Sequence, residues 1–554
     1  MVMGYLAENL RQPMRLSLLL PVLTGGCSPD FEAPAEREAI GMSVSPASVQ
    51  VLTGPDGGQA VQFRAEVTWD DASIEVVEEA EWTVSNQTTG TVDSTGLFVP
   101  GATNGGISWI TARLNGIEDT ATATVVFRDE WVEDGADPAL FDAGTDAGPA
   151  DLWLYPEDGD TLPRTTPSIQ FQWTQASLPE AAVGWRLNFD SDITDVTVYT
   201  AGSDWTADVD TWQNLVSTNA GGQLDLTLSA VTASGSIWRA SPRTVHVNRM
   251  DAEGSIYYWS SSAAGFKRIE YGGVAEDFLT QANTGYCVGC HVISSQGRVA
   301  FTYDGGNGQL GVKLVADGSD VVPYGSAVYG NFKAFSPDGG LLLTTYLGSL
   351  LLYDGLTGAY ISEVPVDGTV SHVDWDPDGS RVALVLTESH SYDWTFAGGR
   401  LALMDHLGDG VFAAPVVLYD PGDGLNAYYP SFSPDGDWLA FNVSTGDSYD
   451  DEDATLYVIS PDGGLPVEQA SANQSASITN SWPRWGPLPD DDILWISFSS
   501  KRLYGGLTTG NPQIWVTAFD PAAADAGLDG SYPAFWLPGQ DATQGNHVPV
   551  WVDQ

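Results

Sequence analysis

Three copies of one phrase constrain this chain more than any other feature: Phe335-Ser336-Pro337-Asp338-Gly339, Trp375-Asp376-Pro377-Asp378-Gly379 and Phe432-Ser433-Pro434-Asp435-Gly436. Each is followed by an apolar run, Leu341-Leu342-Leu343, Val382-Ala383-Leu384 and Leu439-Ala440-Phe441. The chemistry is that of a hairpin. The aromatic ends one strand, proline presets φ for the turn, aspartate bonds nearby amides and glycine takes positive φ. Asp338 and Asp378 stand 40 residues apart, a suitable length for one four-stranded blade of a radial repeat. The later spacing is longer and leaves room for insertions such as the acidic stretch 447–453. Degenerate copies follow at Pro483-Arg484-Trp485-Gly486-Pro487 and Pro549-Val550-Trp551.

These Pro-Asp repeats resemble those of TolB-like, WD40-like propellers, and the resemblance covers roughly the C-terminal half, residues 250–554. It implies six blades around a central channel, with the ring closed by pairing residues 549–552 against Ile256-Tyr257-Tyr258-Trp259.

Cys287-Val288-Gly289-Cys290-His291 carries the clearest chemistry. C-x-x-C-H is the spacing at which two thiols bond to haem vinyl groups while the adjacent histidine ligates the iron. The alternative is a Cys287 to Cys290 disulfide followed by an unrelated histidine. The repeat places the motif: Ile293-Ser294-Ser295-Gln296-Gly297 and Val299-Ala300-Phe301 match Phe432 to Gly436 and Leu439-Ala440-Phe441. His291 then aligns with Pro430, Pro483 and Pro549, which predicts a motif at the channel mouth where the chain enters the innermost strand. The same register nominates His547 as distal ligand, with His372 next. Met250 is a thioether alternative, whereas Met404 in Leu401-Ala402-Leu403-Met404 reads as core.

The N-terminus predicts export. Arg11 and Arg15 precede the apolar run 16–23, and Thr24-Gly25-Gly26 leads into Cys27, a secretory signal too short to span a membrane. Small residues before a single cysteine resemble a lipoprotein lipobox, which implies a signal over 1–26, a lipidated Cys27 and a tether over 27–41. A plain signal peptide is the alternative. An acyl anchor would then be the only tie to a membrane, holding the protein at the periplasmic or outer face.

Residues 42–127 read as short alternating strands and resemble the bacterial Ig-like group 2 domain, which implies a β-sandwich spacer. Residues 128–150 carry Asp-Gly-Ala-Asp-Pro and little apolar periodicity, the pattern of an acidic linker. Residues 151–249 alternate again, as in Ile169-Gln170-Phe171-Gln172-Trp173, and resemble a fibronectin type III sandwich. The expected fold is thus all-β: two β-sandwich domains followed by a six-bladed β-propeller.

A formal net charge of −52 over 554 residues repels phosphate backbones and excludes nucleic acid as a partner. Its simplest meaning is solubility. The aspartates of 129–150 and 447–453 are the chain's offers to calcium, but they lack the spacing of a defined loop and read as solvated. There is no G-x-S-x-G elbow and no H-E-x-x-H pair, which disfavours hydrolysis. Two functions remain. The first is an exported c-type cytochrome-like protein carrying one haem for electron transfer to a redox partner. The second is a non-catalytic propeller that binds a protein or polysaccharide.

Overall fold

The computed structural model describes residues 37–553 apart from 306–307, 475–477, 488–492 and 508–509. The expected signal peptide, Cys27 and most of the expected tether lie outside the described residues. The described residues are built mainly of strands, with a few short helices such as Val209–Thr218.

Six four-stranded antiparallel sheets form the propeller. Naming the innermost strand first, blade 1 begins with Val288–Ile293, blade 2 with Lys333–Phe335, blade 3 with Thr369–Trp375, blade 4 with Asn426–Phe432 and blade 5 with Ser481–Trp485. Blade 6 is closed by the end of the chain. Asn546–Val552 is its innermost strand and pairs with Ser255–Ser260, matching Ile256 with Trp551 and Trp259 with His547. The repeated phrase makes the turn between the first and second strands. Gly339, Gly379 and Gly436 sit at φ +69, +77 and +81°, each donating its amide to the carbonyl three residues back. Gly297 closes the degenerate copy after the cysteine motif with the same bond, Gly297 N–H to Ser294 O at 3.0 Å.

One expectation needs correction here. The innermost strand of blade 1 does not begin after His291; it runs through the motif from Val288 to Ile293. The alignment of His291 with Pro430, Pro483 and Pro549 puts it inside an innermost strand, where it borders the channel beside Cys290 and packs on Phe266 of blade 6.

The acidic stretch after residue 127 is not free chain either. Strand Ile117–Val132 pairs first with Gly106–Leu114 and Ser48–Thr53 of the Ig-like unit, then continues in parallel against Thr194–Thr200 of the second sandwich, from Phe127 with Thr194 to Val132 with Tyr199. Thr145–Pro149 pairs with Ser236–Arg239. Trp131 stacks on Trp205 at 5.8 Å, and that burial outweighs the solvation of the intervening aspartates.

The second sandwich sets Trp153–Tyr155, Gln170–Trp173 and Asp204–Thr206 against a larger sheet built on Ala182–Ser191 and Gly222–Thr232. It shares one apolar core with blades 5 and 6, in which Tyr155, Phe171 and Trp173 join Tyr504, Trp515 and Trp536. Tyr155 stacks edge-on against Tyr504 at 5.0 Å and accepts the Trp536 amide. Two buried ionisable groups lie in the same seam: Asp160 is fully inaccessible and Arg502 nearly so. Arg502 donates to Ala472 O and Asn480 Oδ1 at 2.6 and 2.7 Å.

Two outcomes follow for stability. Trp551 stacks on Tyr271 with ring planes 3° apart and donates to Glu253 O at 2.8 Å, so Trp551→Ala lowers stability by about 3–5 kcal/mol, read as a reduced urea midpoint. Burial pushes the Asp160 carboxyl up to about 8. The folded chain therefore keeps a proton that the unfolded chain has lost between about pH 4 and pH 8, and stability falls as pH rises through that window by about 1.4 kcal/mol per pH unit. Asp160→Asn flattens that slope and is the more stable protein at pH 8, measured by urea unfolding at both ends of the window.

Candidate functional site at the channel mouth

Every blade contributes to the lining of the channel. In blades 1, 3, 4, 5 and 6 the innermost strand breaks register at the same place, and a left-handed residue sits in or beside the break: Cys290 (φ +51°), His372 (+26°), Tyr429 (+53°), Trp482 (+59°) and Val548 (+59°). These are β-bulges, which re-aim a side chain at the cost of one unpaired residue. Together with Phe332 of blade 2 they line a space of only about 20 Å³. The plug is aromatic. Tyr429 stacks on Trp482 at 3.7 Å, Phe332 on His372 at 3.9 Å, and His372 meets Tyr429 edge-on at 4.2 Å.

His372, a distal-ligand candidate in the sequence, belongs to this plug. Its Nδ1 lies 3.1 Å from Ser371 Oγ, and burial holds its pKa well below the usual imidazole value. Met404 is fully buried among Leu352, Val382 and Ala402, whereas Met250 stands in the loop joining sandwich and propeller, away from the plug-lining residues.

Above the plug lies a cavity of about 210 Å³ walled by Trp259, Tyr449, Asp450, Thr479, Trp482 and His547, among others. His547 stands edge-on to Trp259 at 4.8 Å and faces Tyr449 at 6.3 Å. Burial lowers its pKa to about 4, so near neutral pH it is an uncharged imidazole with a lone pair to offer. Tyr449 belongs to the acidic insertion of blade 4, which is tied across the mouth to a hairpin of blade 3: Ser448 N–H donates to Trp394 O at 3.1 Å and Thr395 Oγ1 to Asp447 Oδ2 at 3.2 Å. The insertion's carboxylates are engaged locally, Asp451 by the Gly446 amide and Asp450 by Lys501 at 2.7 Å. Among the described residues no group of three or more His, Cys, Asp or Glu side chains is placed to hold a metal ion.

Both cysteines of the motif are free thiols. Cys290 lines the channel, and Cys287, three residues earlier, is partly exposed. Burial raises both thiol pKa values, with the Asp304 carboxylate adding to the effect at Cys287. His291 borders the same channel space. It is buried against Phe266 of blade 6, ring centroids 4.1 Å apart, and burial lowers its pKa to about 3. Neither of its nitrogens makes a geometrically sound hydrogen bond, although the Tyr257 backbone lies close enough to favour the charged form.

A haem attached here needs two thiols and an imidazole directed at the same macrocycle. Cys290 and His291 line one channel space, Cys287 is partly exposed three residues before Cys290, and His547 borders a separate cavity of about 210 Å³. The space that Cys290 and His291 share holds about one water, so a macrocycle on this motif would sit outside the plug.

Lys333 is the residue that reasoning from sequence missed. Its Nζ donates to Cys290 O at 2.5 Å, Thr302 Oγ1 at 2.9 Å and Asn331 O at 2.5 Å, pinning the bulge of the motif, and burial pulls its pKa down to about 8. The signal was available: Lys333 stands two residues before Phe335, as His291 stands two before Ile293. In protein made without haem attachment, iodoacetamide should modify Cys287 faster than Cys290, read by mass spectrometry over time. Equal rates would mean that the plug does not shield Cys290.

Comparison with known proteins adds to this picture. No curated protein matches the chain. Similar solved structures include Kuenenia stuttgartiensis hydrazine synthase, at 14% identity and TM-score 0.32, covering 46% of this chain and 67% of that one. A putative TolB from Agrobacterium tumefaciens is similar at 17% identity and TM-score 0.32, covering 54% and 98%. The dihydro-heme d1 dehydrogenase NirN is similar at 16% identity and TM-score 0.33, covering 52% and 55%. The propeller assignment stands on the six sheets themselves. Residues 39–125 match the model of one family, and that segment of the chain is a bacterial Ig-like domain of group 2.

Proposed function

We propose that this is an exported c-type cytochrome-like protein, anchored by a lipid on Cys27, that carries one covalent haem on Cys287 and Cys290 at the mouth of the propeller channel. The observation that carries the reading is the pair of unbridged thiols of a C-x-x-C-H motif, with Cys290 and His291 lining the channel and His547 at a neighbouring cavity. A haem so held supplies single-electron chemistry. The chain's own part is to fix the thiols through the bulge and Lys333, and to limit water at the mouth with Trp259, Trp482 and Tyr449. The sandwich at 151–249, read as fibronectin type III-like, braces blades 5 and 6 through the shared core. The redox partner is a protein docking at that mouth.

The test is a haem-stained denaturing gel and a pyridine haemochrome spectrum, on protein exported in a host that matures c-type haem. Wild-type protein retains haem through denaturation, and Cys287→Ala with Cys290→Ala abolishes the signal while leaving the thermal transition in place. A colourless wild-type chain, beside a control cytochrome that matures normally, sinks the proposal. It would leave a propeller that binds its partner without a cofactor.

A further inference from the structure

We propose that the cavity of about 210 Å³ at blades 5 and 6 binds one ring of a neutral sugar, either a free hexose or the end residue of a glycan chain. Neither cysteine lines this cavity, and the inference does not rest on the cytochrome reading.

Its walls present two kinds of surface. Trp259 of blade 6, Trp482 of blade 5 and Tyr449 of the blade 4 insertion supply aromatic rings. Two of these are already fixed, Trp482 by its stack on Tyr429 at 3.7 Å and Trp259 by the bond from its Nε1 to Val288 O at 3.0 Å. Little side-chain order is then lost when a ligand arrives. An aromatic face is electron-rich, and the electron-poor C–H face of a sugar ring is its complement.

The second surface is polar and has hydrogen-bonding capacity to spare. Ser481 and Ser499 stand opposite one another in blade 5. Ser499 Oγ accepts the Val548 amide at 3.0 Å and donates to no described residue, while Ser481 Oγ reaches Asn442 Oδ1 only at 3.5 Å. Thr479, 4% exposed, has an Oγ1 without a partner among the described residues. His547 meets Trp259 and Tyr449 ring to ring. Buried polar groups demand partners, and a hydroxyl, which both donates and accepts, is matched by another hydroxyl.

Charge excludes the other classes of ligand. Lys501 binds both carboxylate oxygens of Asp450, at 2.7 and 2.8 Å, which leaves the pocket close to neutral, and the net charge of −52 repels anions. A quaternary ammonium suits an aromatic cage but cannot engage three hydroxyls. The volume, that of about seven waters, holds a six-membered ring with its substituents.

Saturation-transfer NMR on the full exported chain tests the proposal. The probes are methyl β-glucoside, methyl β-galactoside and N-acetylglucosamine, each beside its β-1,4-linked tetramer, with tetramethylammonium as the competing class. At least one sugar receives saturation on its ring C–H protons. Tyr449→Ala weakens its binding about tenfold, with the thermal transition unchanged because Tyr449 is 55% exposed. Thr479→Val weakens it about three- to tenfold. Transfer confined to the end ring of the tetramer identifies a chain end as the occupant, and a monomer that binds while its tetramer does not identifies free sugar. The proposal is overturned if no sugar in the panel receives saturation, if tetramethylammonium alone binds, or if either substitution leaves the affinity unchanged.

Discussion

Closure of the ring rests on seven residues at the end of the chain. Asn546–Val552 completes a blade whose other strands were laid down from Ser255 onward, and until that pairing forms the blade lacks its axial strand. The site depends on this step. Closure brings His547 beside Trp259, and Trp259 in turn bonds Val288 of the cysteine motif. Long-range pairing of this kind is costly in chain entropy. Burial of Trp551 against Tyr271, with its indole N–H satisfied by Glu253 O, helps offset that cost.

With the ring closed, the bulges decide what the channel contains. A left-handed conformation disfavours residues other than glycine, and β-branched Val548 most of all. The aromatic contacts among Phe332, His372, Tyr429 and Trp482 are what the strain gains in return. Lys333 makes the same point in polar terms. A buried ammonium is tolerable because three acceptors surround it, and one of them is the carbonyl of a bulged residue.

The turn chemistry of the Ser-Pro-Asp-Gly phrase is local, so the blades were legible in the sequence, and so was their closure by the final strand. The bulges were not. The residues that occupy them, Cys290, His372, Tyr429, Trp482 and Val548, share no side-chain property, because the bulge is a property of pairing between strands. That gap explains the misplacement of the motif. Aligning His291 with Pro430 and Pro483 put it in an innermost strand, but the alignment did not show that a bulge sets Cys290 and His291 together opposite Phe301. The stretch at 128–150 was misread for a related reason: its aspartates speak for solvation, while the parallel partner that captures Phe127–Val132 lies some 67 residues further on, at Thr194–Tyr199.

That captured strand gives the molecule a mechanical character. Because Ile117–Val132 belongs to both sandwiches, there is no swivel where one ends and the next begins. A pull along the strand is borne in shear by the ladder from Phe127 with Thr194 to Val132 with Tyr199, so its hydrogen bonds are loaded together rather than opened one at a time. Torque passes the same way into the core shared with blades 5 and 6. The Ig-like domain thus serves as a strut that sets the direction in which the channel mouth points.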